Sequence, residues 1–549
     1  MTRDELLQPP DYVHTLPNTF RNAVEKFGSR TMVVCGDRRL TFQEMEQQSA
    51  ILARHLLASG VGKGARIGLL MPNTPEWGVA FMAITRIGAV AVLISTLYQR
   101  RELAWVARYA DLHGLMMADA FLNHDYVARL EEVAPEIREQ SSERPLLLEE
   151  LPYLRTVYVW GDNIPAWAVD GRALLRQEPE GVGESLLRAV EDNVTPADFA
   201  VLIFTSGTTA DPKGVMHSHG AIVRRSHATR SGRGYTQDSR ILVLGAMCWV
   251  AGLNPFCIAW HVGASVVTPV TPKIEDVAAV AIGEDVTFIA AQPAILKQLQ
   301  EYLAAAQIEQ GPALKLFYEG PRDQDGELLP EGRWSRGLGM TETVAMHSFE
   351  PYGCIPADKA GAFGRSVPDI ERVIRDFNTG EVLGPNEEGQ LWMRGPGVML
   401  GLYKKERHEV FGPDGFYATG DICRIDEDGY LYFRGRNSEM IKTTGANVSP
   451  REVELALEAY PDVREAGVFG MPGEGRDEIV VAVVSPKGEA KLDPEELRRR
   501  LRQDISSFKT PKVIHIVPME YLPRTGSAKL NKRAVKETLL RGEPLIPPK

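Results

Sequence analysis

The chain has 549 residues, too many for one hydrophobic core, so two or more domains are expected. It is 44% hydrophobic and 25% charged, the balance of an ordinary globular protein, and its net charge of −11 argues against a nucleic-acid or anionic-membrane surface. Its five cysteines (Cys35, Cys248, Cys257, Cys354, Cys423) are scattered without a C-x-x-C pair, which indicates neither a zinc site nor a disulfide framework.

Met1-Thr2-Arg3-Asp4-Glu5 lacks the basic-then-apolar form of a signal peptide. No uninterrupted apolar run reaches the ~20 residues of a membrane span. A cytoplasmic location is expected.

A helix and a short strand pair near Thr31–Val34 open the chain. Thr41 with Glu44 three residues on makes a capping-box pattern, and the helix it starts runs to about Ala58. Ile67–Met71 is a predicted strand, Glu76–Ile87 a helix with Trp77, Phe81 and Ile84 at helical spacing, and Ala89–Ile94 a second strand. This alternation argues for a parallel α/β sheet, with Trp77 in its core. Helix and surface loop are expected over 131–155, a strand at Thr156–Trp160, and a Pro/Gly/Glu-rich connection to about Asp192.

Phe199–Phe204 is an apolar strand. It runs into Thr205-Ser206-Gly207-Thr208-Thr209-Ala210-Asp211-Pro212-Lys213-Gly214, which cannot be a helix or a central strand. Hydroxyls, backbone N–H groups and Lys213 are concentrated donors suited to polyphosphate. The pattern G-x-x-x-x-G-K-[ST] is not met, because Lys213 follows Pro212. The plain alternative is a Ser/Thr/Gly surface loop. His217 and His219 lack a carboxylate or Cys at ligand spacing, so capping and packing are expected of them rather than metal binding.

Strands are expected at Ile241–Ala246, Val286–Ala290, Leu314–Tyr318 and Gly389–Arg394, and a helix at Ala294–Gln307. Met247–Leu253 is predicted to be a loop. Asp426–Phe433 is a predicted hairpin with an acidic D-G turn, and Ser449-Pro450-Arg451-Glu452 starts a helix. The rest alternates helix and strand.

Four stretches, in this order, resemble the adenylate-forming superfamily of acyl-CoA synthetases, luciferases and peptide-synthetase adenylation domains. They are the Thr205–Gly214 loop, Gly337-Leu338-Gly339-Met340-Thr341-Glu342, Gly415-Phe416-Tyr417-Ala418-Thr419-Gly420-Asp421, and Pro523-Arg524-Thr525-Gly526-Ser527-Ala528-Lys529. The match runs roughly from Leu40 to Arg533.

The resemblance implies an α/β fold with a large N-terminal domain of layered α/β subdomains plus a β-rich section (1–435). A small, mobile α+β C-terminal domain (436–549) would rotate about Ser438. It implies ATP, CoA and a small-molecule carboxylic acid (fatty, aryl-aliphatic or steroid-type) as substrates, with Mg²⁺; the alternatives are an enzyme that passes the acyl group to a carrier-protein thiol and a catalytically impaired relative that binds an acyl group or nucleotide. Thr205, Ser206, Gly207, Thr208, Thr209 and Lys213 would hold phosphate, Thr341 the α-phosphate, Glu342 the metal, and Asp421 and Arg436 the ribose. Glu319 and Gly320 occupy the place of the adenine loop. Lys442 lies in the boundary stretch, and Gly445 in the loop that passes the pantetheine arm. Lys529 would neutralise charge developing during adenylation. Trp249, Val250 and Gly252 border the acyl pocket, and the small Ala246, Ala251 and Gly252 would leave room for a bulky hydrophobic acid.

Departures from the family pattern are Trp249 in place of a His, Leu338 in place of an aromatic, Ala210 and Ala528 in place of Gly, and a short polar stretch after Pro321. A homodimer is a further expectation.

Overall fold

A computed structural model of the chain describes residues 2–205, 212–291, 293–308, 337–436, 441–443, 446–448, 450–473, 478–505, 509–525 and 529–545. The chain divides into two units, Met1–Glu371 with Met393–Tyr417, and Arg372–Trp392 with Ala418–Lys549.

The first unit carries an eight-stranded sheet in the order Gly401–Leu402, Lys213–Ser218, Phe199–Thr205, Val90–Leu93, Arg66–Leu70, Gly114–Ala118, Thr156–Trp160, Val169–Asp170. From Phe199–Thr205 onward the neighbours are parallel, as the strand–helix–strand alternation predicts. The other edge is antiparallel. A five-stranded sheet runs Phe288–Ala290, Arg240–Val243, Ser265–Thr268, Thr31–Cys35, Arg38–Thr41.

One apolar core joins the two sheets through the helices Leu16–Phe27, Phe42–Ala58, Pro75–Arg86 and Val250–Val262. Every residue of Pro75–Arg86 except Glu76 is buried, so this helix is apolar nearly all round. Trp77 stacks on Phe81 at 5.1 Å and meets Phe256 edge-on at 5.5 Å. The expected capping box is present. Thr41 N–H donates to Glu44 Oε2 (2.8 Å), and Glu44 N–H donates to Thr41 Oγ1 (3.1 Å). Gly88, at φ +70°, ends the Pro75–Arg86 helix in the left-handed conformation that glycine takes without strain.

The stretch before Asp192 is not a plain connection. It folds as a helix, Glu184–Asp192, which buries Leu187 and Glu191. Glu191 holds the buried Arg86 (Nε–Oε1 2.6 Å), a tertiary ion pair that local composition does not reveal.

In the second unit Val463–Pro472, Glu478–Pro486 and Val513–Ile516 form a three-stranded sheet. Val480, Ala482 and Val484 pack with the helices Pro450–Glu458 and Pro494–Asp504. Val481 and Val483 face the other way, onto the helix Lys532–Leu540, which is the two-residue period of a strand buried on both faces. The predicted hairpin forms between Tyr417–Ile425 and Leu431–Arg436, with Gly429 at φ +83° in its turn.

Candidate active site

The strand Phe199–Thr205 pairs antiparallel with Lys213–Ser218, and their register ends with Thr205 opposite Lys213. Both ends of the Ser/Thr/Gly stretch are thus held at one place. Thr205 is half-buried there, and the Lys213 side chain is exposed. Ser206, Gly207, Thr208 and Thr209 lie outside the described residues. So do Leu314–Tyr318, Glu319, Gly320, Ser438 and Gly445.

The Thr341-Glu342 pair sits in a single 3₁₀ turn, Thr341–Thr343, beside this hairpin. His217, wholly buried on the Lys213–Ser218 strand, bonds through Nε2 to the Thr341 carbonyl oxygen at 2.8 Å. A carbonyl accepts only from N–H, so Nε2 carries the proton and Nδ1 is bare. Nδ1 is buried without a hydrogen-bond partner. Burial lowers the His217 pKa to about 4, which keeps the ring neutral.

Met399 N–H donates to the Glu342 carbonyl at 2.8 Å. The Tyr417 hydroxyl donates to Glu342 Oε1 at 3.1 Å. Leu400 and Tyr403 N–H groups donate to Met216 and Gly214 carbonyls, both at 2.8 Å, which ties the same segment to the hairpin.

Val344 follows at φ +60°, a conformation that costs a β-branched residue roughly 1–2 kcal/mol. Its neighbours over-determine it. Ala345 N–H donates to the Thr343 carbonyl at 2.6 Å, and the Thr343 hydroxyl donates to the Ala345 carbonyl at 2.8 Å. The buried Arg225 guanidinium donates to Asp369 Oδ1 (2.8 Å) and to the Met346 carbonyl. Residues held strained in this way cluster at active sites and ligand clamps.

The acyl-side residues differ in part from the expectation. Only Met247–Trp249 precede a helix that begins at Val250, so Val250 and Gly252 belong to its first turn and not to a loop. Trp249 is half-buried at the N-cap position. A Cβ at Gly252 would lie 2.5 Å from the Ala246 carbonyl oxygen, so main chain already fills the space over Gly252. Its smallness lets backbones approach and opens no room for a ligand. Asn73 clamps this region, its Nδ2 donating to the Gly245 carbonyl and its Oδ1 accepting from Met247 N–H, both at 2.8 Å.

In the second unit Asp421 is buried within the strand Tyr417–Ile425 and is the register partner of Arg436. The main chains of Arg436 and Lys442 lie in the strands Leu431–Arg436 and Ile441–Thr443. Lys529 is exposed, and Thr525 N–H donates to its carbonyl at 2.8 Å.

The two histidines serve main chain. His219 Nδ1 accepts from Leu16 N–H at 3.3 Å, and burial lowers its pKa to about 3. Sequence reasoning assigned no role to Asn73, His217 or Tyr417 in this site. Asn73 shows as a turn residue and Tyr417 as part of a quoted motif; nothing local to His217 points at Thr341. Among the described residues no three His, Cys, Asp or Glu side chains gather as a metal site. Among them too, no helix is long and apolar enough to cross a membrane.

The family described as AMP-binding enzyme matches residues 20–403, and the AMP-binding enzyme C-terminal domain matches residues 452–529. A 3-hydroxybenzoate–CoA/4-hydroxybenzoate–CoA ligase of Thauera aromatica is 28% identical, over 97% of this chain and 99% of that one. A long-chain-fatty-acid–CoA ligase of Bacillus subtilis is 26% identical, over 96% of each. The solved structure of the anthranilate CoA ligase AuaEII with anthranoyl-AMP has a TM-score of 0.76 at 22% identity, covering 99% of this chain and 100% of that one. ATP-bound MatB of Rhodopseudomonas palustris has a TM-score of 0.75 at 22% identity, covering 95% and 98%.

Proposed function

This chain belongs to the AMP-binding enzyme family, and from that premise we propose that it is an AMP-forming acid–CoA ligase acting on a hydrophobic carboxylic acid. The His217–Thr341 bond carries the reading, because it sets the Thr-Glu turn beside the hairpin that ends in the Ser/Thr/Gly loop. Relatives act on aryl acids, on a long-chain fatty acid and, in Rhodococcus jostii, on a bicyclic propanoyl acid, at 26–28% identity. The half-buried Trp249 supports an apolar acid here.

A carboxylate has no leaving group that a thiol can displace. One carboxylate oxygen attacks the α-phosphorus of ATP, and pyrophosphate departs. The CoA thiolate then attacks the acyl carbon of the acyl-adenylate, and AMP leaves with the C–O bonding pair. Thr205, Lys213 and Thr341, with the loop residues Ser206, Gly207, Thr208 and Thr209, donate to phosphate oxygens. Asp421 and Arg436 hold the ribose, while Glu319 and Gly320 meet adenine. Lys529 faces the charge that develops in the first step. No side chain is a nucleophile, so positioning and electrostatics carry the rate.

Bound Mg²⁺ would neutralise phosphate charge. Glu342 would hold it, and one carboxylate plus phosphate oxygens is the donor set that this ion uses. The Tyr417 hydroxyl on Oε1 orients that carboxylate. Rotation of residues 436–549 about Ser438 would exchange Lys529 for the Lys442–Gly445 segment between half-reactions. The proposal includes a cytoplasmic location and a homodimer, which size-exclusion chromatography with light scattering tests.

Pyrophosphate release is measured with ATP, Mg²⁺ and a panel of aryl, fatty and polycyclic acids, each with and without CoA. Multiple turnover that needs both one acid class and CoA is expected. A single stoichiometric burst indifferent to CoA would replace CoA with a carrier-protein thiol, and silence across the panel would overturn the reading. Lys529→Ala should slow adenylation by on the order of 10²–10³ and leave CoA attack on preformed acyl-adenylate unchanged, as single-turnover kinetics would show.

A further inference from the structure

A cavity of about 380 Å³ opens in the first unit at the far end of the Lys213–Ser218 strand. Ser218 lines it, whereas Lys213 adjoins the phosphate loop. Five strand rises of ~3.3 Å separate these residues by roughly 16 Å.

Three arginines line the cavity, Arg224, Arg394 and Arg407, and no Asp or Glu does among the described residues. Arg394 is paired with Glu371 (2.6 Å). Asp369, nearby, is engaged by Arg225 at 2.8 Å. Arg224 instead contacts His14 Nδ1 (3.3 Å) and the Pro396 carbonyl (3.2 Å), and its Nε is buried without a hydrogen-bond partner. Burial lowers its pKa, and the charge of Asp369 offsets this only in part. Arg407 lies over the Phe411 ring at 4.6 Å. Neither Arg224 nor Arg407 has a carboxylate within 4.0 Å among the described residues, in a chain whose net charge is −11. Val398, Leu400 and Phe411 supply an apolar wall.

We propose that this cavity is a second ligand site, built for a small organic phosphate. Two guanidiniums without an ion pair, Arg224 and Arg407, match the charge of a phosphate monoester, about −1.5 to −2 at pH 7, whereas a monocarboxylate would leave one cation unmet. The guanidinium fork suits phosphate oxygens, and the apolar wall takes the organic body. The volume falls within the range of small-molecule sites, roughly 300–1,000 Å³.

The test is titration calorimetry on the full-length protein at low salt, with phenyl phosphate as probe and inorganic phosphate and phenylacetate as comparators. Phenyl phosphate should bind at least tenfold more tightly than either comparator. Arg407→Gln, at an exposed position, should weaken it at least tenfold with an unchanged melting temperature, and Arg224→Gln should do the same. Lys213→Gln should leave the isotherm unaltered. Absence of binding at millimolar probe would overturn the proposal. So would binding lost in Lys213→Gln but kept in Arg407→Gln, which places the probe at the phosphate loop, or phenylacetate binding as tightly as phenyl phosphate. No turnover is read, so either result is separable from that of the acid panel.

Discussion

His217 Nε2 stands 2.8 Å from the carbonyl oxygen of Thr341, 124 residues further along the chain. The bond fastens the Thr-Glu turn to the strand that follows the Ser/Thr/Gly stretch. His217→Leu removes the donor and leaves the Thr341 carbonyl without it, at a cost of about 1–3 kcal/mol in stability. It should also slow ATP–pyrophosphate exchange roughly 10–100-fold, since a small misplacement of positioned groups costs about that much. His217→Gln keeps an N–H donor and should recover part of both losses. Urea denaturation and isotope exchange on the variants would check this, and equal exchange rates in all of them would refute a positioning role.

Acid should destabilise the protein through its buried neutral histidines. Burial lowers the pKa of His217 to about 4, and of His219 and His227 to about 3. The unfolded chain binds these protons near pH 6.5, above the folded values, so stability is complete above about pH 6.5 and falls as pH drops toward 3–4. Each histidine contributes a slope of at most about 1.4 kcal/mol per pH unit. Denaturant titrations at pH 7, 5.5 and 4.5 should show the decline, and His217→Gln should make it shallower.

Tyr417→Phe removes the hydroxyl that donates to Glu342 Oε1. Partners of metal-holding carboxylates typically matter by about 10–100-fold in metal affinity. The Mg²⁺ concentration for half-maximal activity should therefore rise by about that factor, while kcat at saturating Mg²⁺ and the melting temperature change little. An unchanged Mg²⁺ dependence would overturn a role for the Tyr417 hydroxyl in orienting a metal-holding carboxylate.

Gly252→Ala sets two effects against each other. Ala is better than Gly in a helix by about 1 kcal/mol. The new Cβ, however, would stand 2.5 Å from the Ala246 carbonyl oxygen and 2.6 Å from that of Gly245, and main chain yields little. Overpacking of this kind costs roughly 1–3 kcal/mol, so a net loss of stability is expected in thermal or denaturant melts. A more stable variant would show that the first turn of Val250–Val262 moves freely.

The legible parts of the fold were those written in short-range pattern. The Thr41–Glu44 cap, the Trp77 stripe, the apolar strands and the Asp428-Gly429 turn each depend on residues within a few positions of one another. Glu184–Asp192 has the pattern of a connection because its buried face has two residues, and one of them, Glu191, is a carboxylate paired with Arg86 and Arg21. The smallness of Gly252 suggests space for a ligand only because composition cannot say what covers a glycine.

By itself the sequence determined the order of the motifs, the strand–helix alternation and the residue types available for phosphate, ribose and metal. These follow from local backbone preference and from the chemistry of each side chain. Tertiary structure alone decided which of these groups meet. The carbonyl that His217 faces, the hydroxyl that reaches Glu342 and the three arginines that gather around one cavity are meetings across many residues. Contacts of that kind are set by strand register and helix packing, which no single stretch of chain encodes.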